Sequence, residues 1–186
     1  MSATVEQGSE LRTERMTAKR HPERSSHDFA TIARILDAGI YCHIGFVADG
    51  QPFVVPTGYG REGRVLYIHG SAASRMIKTL AQGTPMCLTV TLMDGLVMAR
   101  SAFNNSINYR SVMIVGVAEQ VPDDEKLHAM QVITDHIMPG RWDEVRKPAA
   151  RELKLTTMLK LHIGEASAKI RSGPPVDEED DYALPI

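Results

Sequence analysis

The sequence contains only two cysteines, Cys42 and Cys87, in a chain of 186 residues. Two cysteines are too few for a disulfide framework or a four-cysteine zinc site. Each lies in an apolar, strand-like segment, which favours a buried free thiol in a reducing cytoplasm, and no neighbouring pattern supports a disulfide or thiol catalysis. Zinc-ligand spacings, a Walker loop, the G-x-S-x-G motif and the dinucleotide fingerprint are missing as well. We therefore expect no metal site.

Long apolar runs and an excess of one charge are also missing. The formal net charge is -2, with 43% hydrophobic and 24% charged residues. No apolar run has the length of a membrane span, and the polar first 20 residues lack the apolar segment of a secretory signal. The charge balance gives no reason to expect nucleic-acid binding. These absences predict a cytoplasmic protein with neither a membrane nor a nucleic acid as partner.

The composition along the chain predicts one folded domain between two polar ends. Residues 1–24 are polar and without periodicity, which is typical of a flexible arm. Residues 25–172 form the domain, and Ser25 or Ser26 is expected to cap its first helix. Residues 173–186 form an acidic tail, either disordered or draped on the surface.

The domain alternates short strand patterns with turn residues. Asp49-Gly50 predicts a hairpin, because both positions tolerate positive φ. Met93-Asp94-Gly95 is expected to be the turn between two further strands, and a single strand is expected near Thr156–Ile170. A helix is predicted over 71–81 and a longer one after Pro122. The pattern favours a mainly β fold, a barrel with peripheral helices.

The segment Val65–Leu80, VLYIHGSAASRMIKTL, carries most of the chemical signal. An apolar strand ends at His69-Gly70, and a short helix follows. Hydroxyl groups and positive charges gather where the helix begins, a place suited to a phosphate; the residues that supply them are Ser71, Ser74, Arg75 and Lys78. The alternative is an ordinary strand, turn and helix with a serine cap.

This segment resembles the FMN-phosphate turn of the flavin-binding split-barrel family, which includes the pyridoxamine 5'-phosphate oxidases. The stretches Arg20–Asp37 and Arg100–Gly116 are similar to the branch of the nitroimidazole-resistance (Nim) proteins. The resemblance covers roughly residues 20–172. It implies a single-domain split β-barrel and a homodimer with its flavin sites at the subunit interface.

The resemblance also implies which residues hold FMN. Ser74 and Arg75 correspond to the phosphate-binding pair, while Met76 stands where many members have lysine. Backbone groups of one strand would run beside the isoalloxazine ring, and a second strand would contact the flavin from either subunit. The first strand contains Val54, Val55, Pro56 and Thr57, and the second contains Asn108, Arg110 and Ser111. Asn104 stands in a loop where relatives often have histidine.

His69 ends the strand before the phosphate turn, and in the Nim-like branch a histidine here is linked to the active site. Its imidazole could donate to the flavin or relay a proton near neutral pH. A structural hydrogen bond is the alternative role. The resemblance thus predicts an FMN-dependent oxidoreductase that passes electrons from a reduced nicotinamide to a small organic acceptor, with nitro compounds as one class.

Two alternatives accompany this expectation. The first is a non-enzymatic binding protein or redox-responsive sensor that holds a flavin, a deazaflavin or haem, with His69 or His43 as the axial haem ligand. The second is a barrel that has lost its cofactor. Oxidation of pyridoxamine 5'-phosphate itself is less expected, because the C-terminal region lacks the cluster of basic residues that a substrate phosphate would need.

Overall fold

Strands dominate the fold, which the computed structural model describes for residues 11–184. The strands are β1 (Ser25–Ser26), β2 (Tyr41–Ala48), β3 (Gln51–Gly58), β4 (Gly60–Glu62), β5 (Val65–Ser71), β6 (Pro85–Val97), β7 (Ser106–Val117), β8 (Glu119–Gln120), β9 (Thr156–His162) and β10 (Ala166–Arg171). The α-helices are α1 (Phe29–Ala38), α2 (Arg75–Ala81), α3 (Lys126–Ile137), α4 (Arg141–Glu144) and α5 (Ala150–Leu155), and short 3-10 turns lie at Pro22–Arg24 and Glu179–Ala183. None of the helices in this part of the chain has the length and apolar character needed to cross a bilayer.

The strands form two antiparallel sheets. The larger has six strands in the order β1-β10-β7-β6-β2-β3, and the smaller has four in the order β4-β5-β9-β8. Only Tyr59 separates β3 from β4, so the chain passes directly from one sheet to the other at this residue. The prediction of a mainly β, single-domain fold with peripheral helices is confirmed.

The core lies between the inner faces of the two sheets. Ile44, Leu88 and Ile114 are opposite one another on β2, β6 and β7, and all three are fully buried. Leu66 and Leu159 belong to the same core cluster from the smaller sheet. Successive residues of a strand point to opposite faces, so the residues next to these core residues in sequence form the outer faces of the sheets. A second, smaller cluster packs α3 against the outer face of the smaller sheet.

Of two local predictions, the hairpin turn at Asp49-Gly50 is confirmed and the cap of α1 is wrong. Asp49 and Gly50 have φ of 51° and 73°, and they close the β2–β3 hairpin as predicted. The predicted cap of α1 is wrong, because Asp28 is the N-cap and its carboxylate accepts a hydrogen bond from the Thr31 N–H at 2.8 Å. Ser25 and Ser26 instead form β1 and pair with β10.

The predicted turn at Met93-Asp94-Gly95 is also wrong. β6 runs through these residues as one strand, with a register shift between Met93 and Gly95. The Asp94 carboxylate at this bulge receives two hydrogen bonds from Arg110 on the neighbouring strand, so the bulge serves a cross-strand ion pair. The connection to β7 comes later, after Val97. Likewise, the strand expected over 156–170 is two strands, β9 and β10.

The ends of the chain pack against the domain over their described parts. Leu11 and Met16 are buried, and Arg15 forms an ion pair with Glu165, so residues 11–16 are attached to the domain although they belong to the predicted arm. In the acidic tail, Asp177 accepts a hydrogen bond from the Arg100 N–H at 2.9 Å. This tail therefore follows the surface, the second of the two predicted alternatives. Residues 1–10 and 185–186 lie outside the described part.

Candidate functional site

The two sheets part along one side, and we call this opening the split. Among the described residues, β3 pairs only with β2, so its other edge has no strand partner. β4 pairs with Val65–Tyr67 of β5, so within residues 11–184 the strand partner of residues 68–71 is β9 alone. β3 and β5 also contact each other directly. The split thus brings the predicted segment 54–57 close to the segment that ends at Ser71.

The free edge of β3 offers few backbone N–H groups as hydrogen-bond donors. Proline has no N–H, so Pro52 and Pro56 occupy the non-hydrogen-bonded pairs opposite β2. The same alternation directs the N–H and carbonyl of Val54 to the free edge. Val54 is therefore the one residue between the prolines that presents a backbone donor and acceptor there. Two prolines also protect this edge from the addition of another strand.

A close contact between α2 and β5 sets the position of the turn that follows His69. A Cβ atom on Gly70 would lie 2.8 Å from the Ile77 side chain, so the helix packs against the strand because position 70 has no side chain. The Ser74 N–H donates to the Ser71 carbonyl at 2.9 Å, and the Ala73 N–H donates to the Ser71 hydroxyl at 3.2 Å. The helix begins at Arg75, later than the predicted residue 71.

Arg75 extends from α2 toward β3. Its guanidinium carbon lies 4.8 Å from the centre of the Phe53 ring, and Phe53 stacks on Phe46 with centroids 5.6 Å apart. No carboxylate within residues 11–184 forms an ion pair with Arg75. Lys78 is exposed and follows three residues later, on the same side of the helix. The start of α2 therefore carries two positive charges without an acidic partner in this region.

His69 lies beside this basic turn, on the outer face of β5. Its side chain is exposed, and its ring makes no hydrogen bond within the described part of the chain. Partial desolvation by the surrounding residues lowers the pKa of the imidazole below its usual value of 6.5. The ring is therefore neutral at pH 7, which is the form that can accept a proton or ligate a metal ion.

The predicted residues of β7 lie away from the split. β7 is separated from β3 by β6 and β2, a distance of about 14 Å across the sheet. Arg110 pairs with Asp94 at 2.7 Å and 2.9 Å, and Asn108 donates to the Gly173 carbonyl at 3.0 Å. Ser111 points to the opposite face and donates to the Lys169 carbonyl at 3.3 Å. Within one chain, residues 108–111 of β7 thus do not reach the basic turn at the start of α2.

The other histidines have separate surroundings. His43 lies on the outer face of the larger sheet, with its ring 5.5 Å from that of Tyr41. His128 contacts Glu62 at 2.9 Å, and His136 donates to the Gly39 carbonyl at 2.8 Å, so both attach α3 to the domain. Residues 11–184 contain no group of three or more His, Cys, Asp or Glu side chains that could hold a metal ion.

Two residues that matter for the site were missed in the sequence. The Phe53 ring contacts the Arg75 guanidinium, and the Asp94 carboxylate forms an ion pair with Arg110. The hairpin could have revealed the stacking of Phe53 on Phe46, though not the contact with Arg75, because residues 46 and 53 are symmetric about Asp49-Gly50 and must face each other. No local pattern indicated the second, because the predicted turn at Asp94 hid its position opposite β7.

Two antiparallel sheets that part along one side, with a basic turn at the opening, define a protein of the split-barrel class. The chain belongs to the pyridoxamine 5'-phosphate oxidase family, whose model matches residues 28–170. The resemblance drawn from the sequence is therefore confirmed, and so is the split-barrel fold. A search of curated protein sequences finds no match.

Solved structures of similar proteins extend this result. The chain is 43% identical to the flavocytochrome Anf3 from Azotobacter vinelandii, with a TM-score of 0.86, covering 94% of this chain and 81% of that one. It is 38% identical to an FAD and heme binding protein from Mycobacterium smegmatis, with a TM-score of 0.83 and coverage of 86% and 79%. A candidate 5-nitroimidazole antibiotic resistance protein from Bacteroides thetaiotaomicron is 23% identical at a TM-score of 0.66, over 78% of this chain and 86% of that one, which shows a shared fold alone.

Proposed function

We propose that this protein binds a flavin nucleotide at the split and haem at His69, and that it transfers electrons. The observation that carries the proposal is the arrangement of the split, where the free edge of β3 lies near a basic turn and a neutral histidine. Relatives at 43% and 38% identity are described as a flavocytochrome and as a protein that binds FAD and heme. They support a flavin and haem together over a flavin alone.

The chain's own groups fit the parts of a flavin nucleotide. The Val54 N–H and carbonyl can hydrogen-bond to the polar edge of an isoalloxazine ring, which both donates and accepts. Arg75 can donate two parallel hydrogen bonds to a phosphate, because no carboxylate among the described residues occupies its guanidinium. Lys78 adds a second positive charge on the same side of α2. This pair suits either the single phosphate of FMN or the diphosphate of FAD.

His69 suits the role of an iron ligand for a separate reason. An imidazole ligates a metal only when it is neutral, and partial desolvation keeps the pKa of His69 below 6.5. Its ring is exposed and makes no hydrogen bond to residues 11–184, so it can reach a group outside the fold. Haem would supply one-electron chemistry there, while the protein sets its axial ligand and its surroundings.

We further propose that the flavin receives electrons from a reduced nicotinamide and that a small organic molecule, such as a nitro compound, is an acceptor. The protein would supply orientation and water exclusion, because the redox chemistry belongs to the flavin. A histidine with a neutral ring beside the split could also hold or release a proton during such a transfer.

The absorbance spectrum of the purified protein tests the proposal. We expect flavin bands together with a Soret band, either as isolated or after the addition of FMN or FAD and of haemin. Extraction of the bound flavin distinguishes FMN from FAD. Bleaching of the flavin bands by NADH or NADPH, followed by their return with a nitroaromatic compound, would support the electron path. A protein that takes up neither chromophore would contradict the proposal.

We also propose that two copies associate through the outer face of the larger sheet. This face carries exposed apolar side chains, namely Tyr41, Val47, Val54, Met93, Met113 and Val117. Val54 and Ser111, two of the predicted flavin-binding residues, lie on it three strands apart. A second copy would cover this face and bring its own β7 to the split of the first, which a single chain does not do.

Size-exclusion chromatography with light scattering tests this association. We expect twice the mass of one chain, and we expect Met113→Glu to give monomers that retain less flavin, because it places a charge within an apolar interface. Leu127→Glu is the matched control, since Leu127 is exposed on α3 away from this face. A stable, flavin-loaded monomer of the unaltered protein would contradict the interface model.

A further inference from the structure

Phe53 is a residue to which neither the resemblance nor the relatives give a role, yet it is the contact of Arg75 on β3. The guanidinium carbon lies 4.8 Å from the ring centre, within the range of a cation–π interaction. We infer that Phe53 is a positioning residue that holds the Arg75 guanidinium in place for the flavin phosphate. This inference rests on the proposed function.

The ring of Phe53 is itself held firmly. It stacks on Phe46, which is 5% exposed and belongs to the main core cluster. The two residues face each other across the β2–β3 hairpin, where the register joins Phe46 to Phe53. β3 is paired with β2 along its whole length, so neither ring can move far without a change in the hairpin. The support beneath Arg75 therefore belongs to the rigid part of the larger sheet.

An aromatic ring and a carboxylate that hold an arginine in place differ in whether they leave the guanidinium N–H groups free. Arg61 and Arg110, for example, each donate N–H groups to an aspartate carboxylate. A ring contacts the face of a guanidinium and leaves the N–H groups at its edge available. Arg75 can thus be held in place and still donate to an anion. A carboxylate in the place of Phe53 would compete with the phosphate.

The support also joins the two halves of the proposed site. Arg75 begins α2, and Phe53 is adjacent to Val54, whose backbone faces the free edge of β3. Contact between the two side chains therefore links the basic turn to the strand edge. A flavin nucleotide that spans both parts would meet the Arg75 guanidinium beside the strand that contacts its ring.

Affinities for FMN and for riboflavin, which lacks the phosphate, test this role in the full-length protein. We expect Phe53→Leu to weaken FMN binding by about 2- to 5-fold, the size of one exposed cation–π contact, and to leave riboflavin binding unchanged. Phe53→Tyr should restore FMN affinity, because it keeps the aromatic face. In an Arg75→Gln background, Phe53→Leu should have no further effect on FMN.

Equal losses of FMN and riboflavin affinity in Phe53→Leu would overturn the inference, because they would show that Phe53 shapes the ring site. An undiminished effect of Phe53→Leu in the Arg75→Gln background would overturn it too. In both cases the unaltered protein still binds flavin, and the proposed function stands. An unaltered protein that binds none of FMN, FAD and riboflavin would overturn the proposed function and this inference together.

Discussion

Arg75→Glu is expected to lower the affinity for the flavin nucleotide by roughly 100-fold or more, so that the protein is purified without flavin. The substitution removes charge-assisted hydrogen bonds, each worth about 1.5–3 kcal/mol, and it places a negative charge against a phosphate. A loss of about 2.7 kcal/mol already corresponds to 100-fold. Flavin content per chain and titration with FMN or FAD measure the effect.

The charge change itself needs a control. Arg34→Glu alters the net charge by the same amount, at an exposed position on α1 that lies outside the proposed site. We expect this variant to retain its flavin. Unchanged flavin content in Arg75→Glu would remove Arg75 from the site, and a similar loss in both variants would indicate a general effect of charge.

The second large effect concerns haem. His69→Ala is expected to abolish stoichiometric haem uptake, because an alanine leaves the iron without its proposed axial ligand. The Soret band of the reconstituted protein measures occupancy. Flavin uptake should persist in the same variant, because Val54 and Arg75 are unchanged.

His43→Ala is the matched control for haem binding. His43 is also exposed on a strand, but on the outer face of the larger sheet. We expect this variant to bind haem as the unaltered protein does. A full Soret band in His69→Ala together with its loss in His43→Ala would transfer the axial ligand to His43. Full bands in both variants would contradict haem ligation at either residue.

Local chemistry explains why much of the fold was predictable. The Asp49-Gly50 hairpin depends on two residues that tolerate positive φ, and both adopt it. The strand and helix around Ser71 were recognised from an apolar run, a Gly70 break and apolar residues at helical spacing. Such features depend on neighbours in the chain, so a sequence displays them directly. The family itself was identified from three short stretches, and the model of that family matches residues 28–170.

Errors arose where a distant partner decided between two local options. Met93-Asp94-Gly95 has the composition of a turn, yet β6 pairs with β7 on both sides of Asp94, and Asp94 forms an ion pair with Arg110 across the strands. Ser25 and Ser26 are good helix caps, yet both pair with β10, and Asp28 caps α1 instead. Residues 11–16 are polar enough for a mobile arm, yet Leu11 is buried in the core.

The sequence by itself determined the split-barrel class, the basic turn at Ser71–Lys78 and the position of His69 beside it, because each can be recognised in short contiguous segments. Only the tertiary structure decided which of these residues remain available. It engages Arg110 with Asp94 and Asn108 with Gly173, and it supports Arg75 on Phe53, where no described carboxylate occupies its N–H groups. The reason is physical: whether a charged or polar side chain is free depends on the strands that the fold brings beside it.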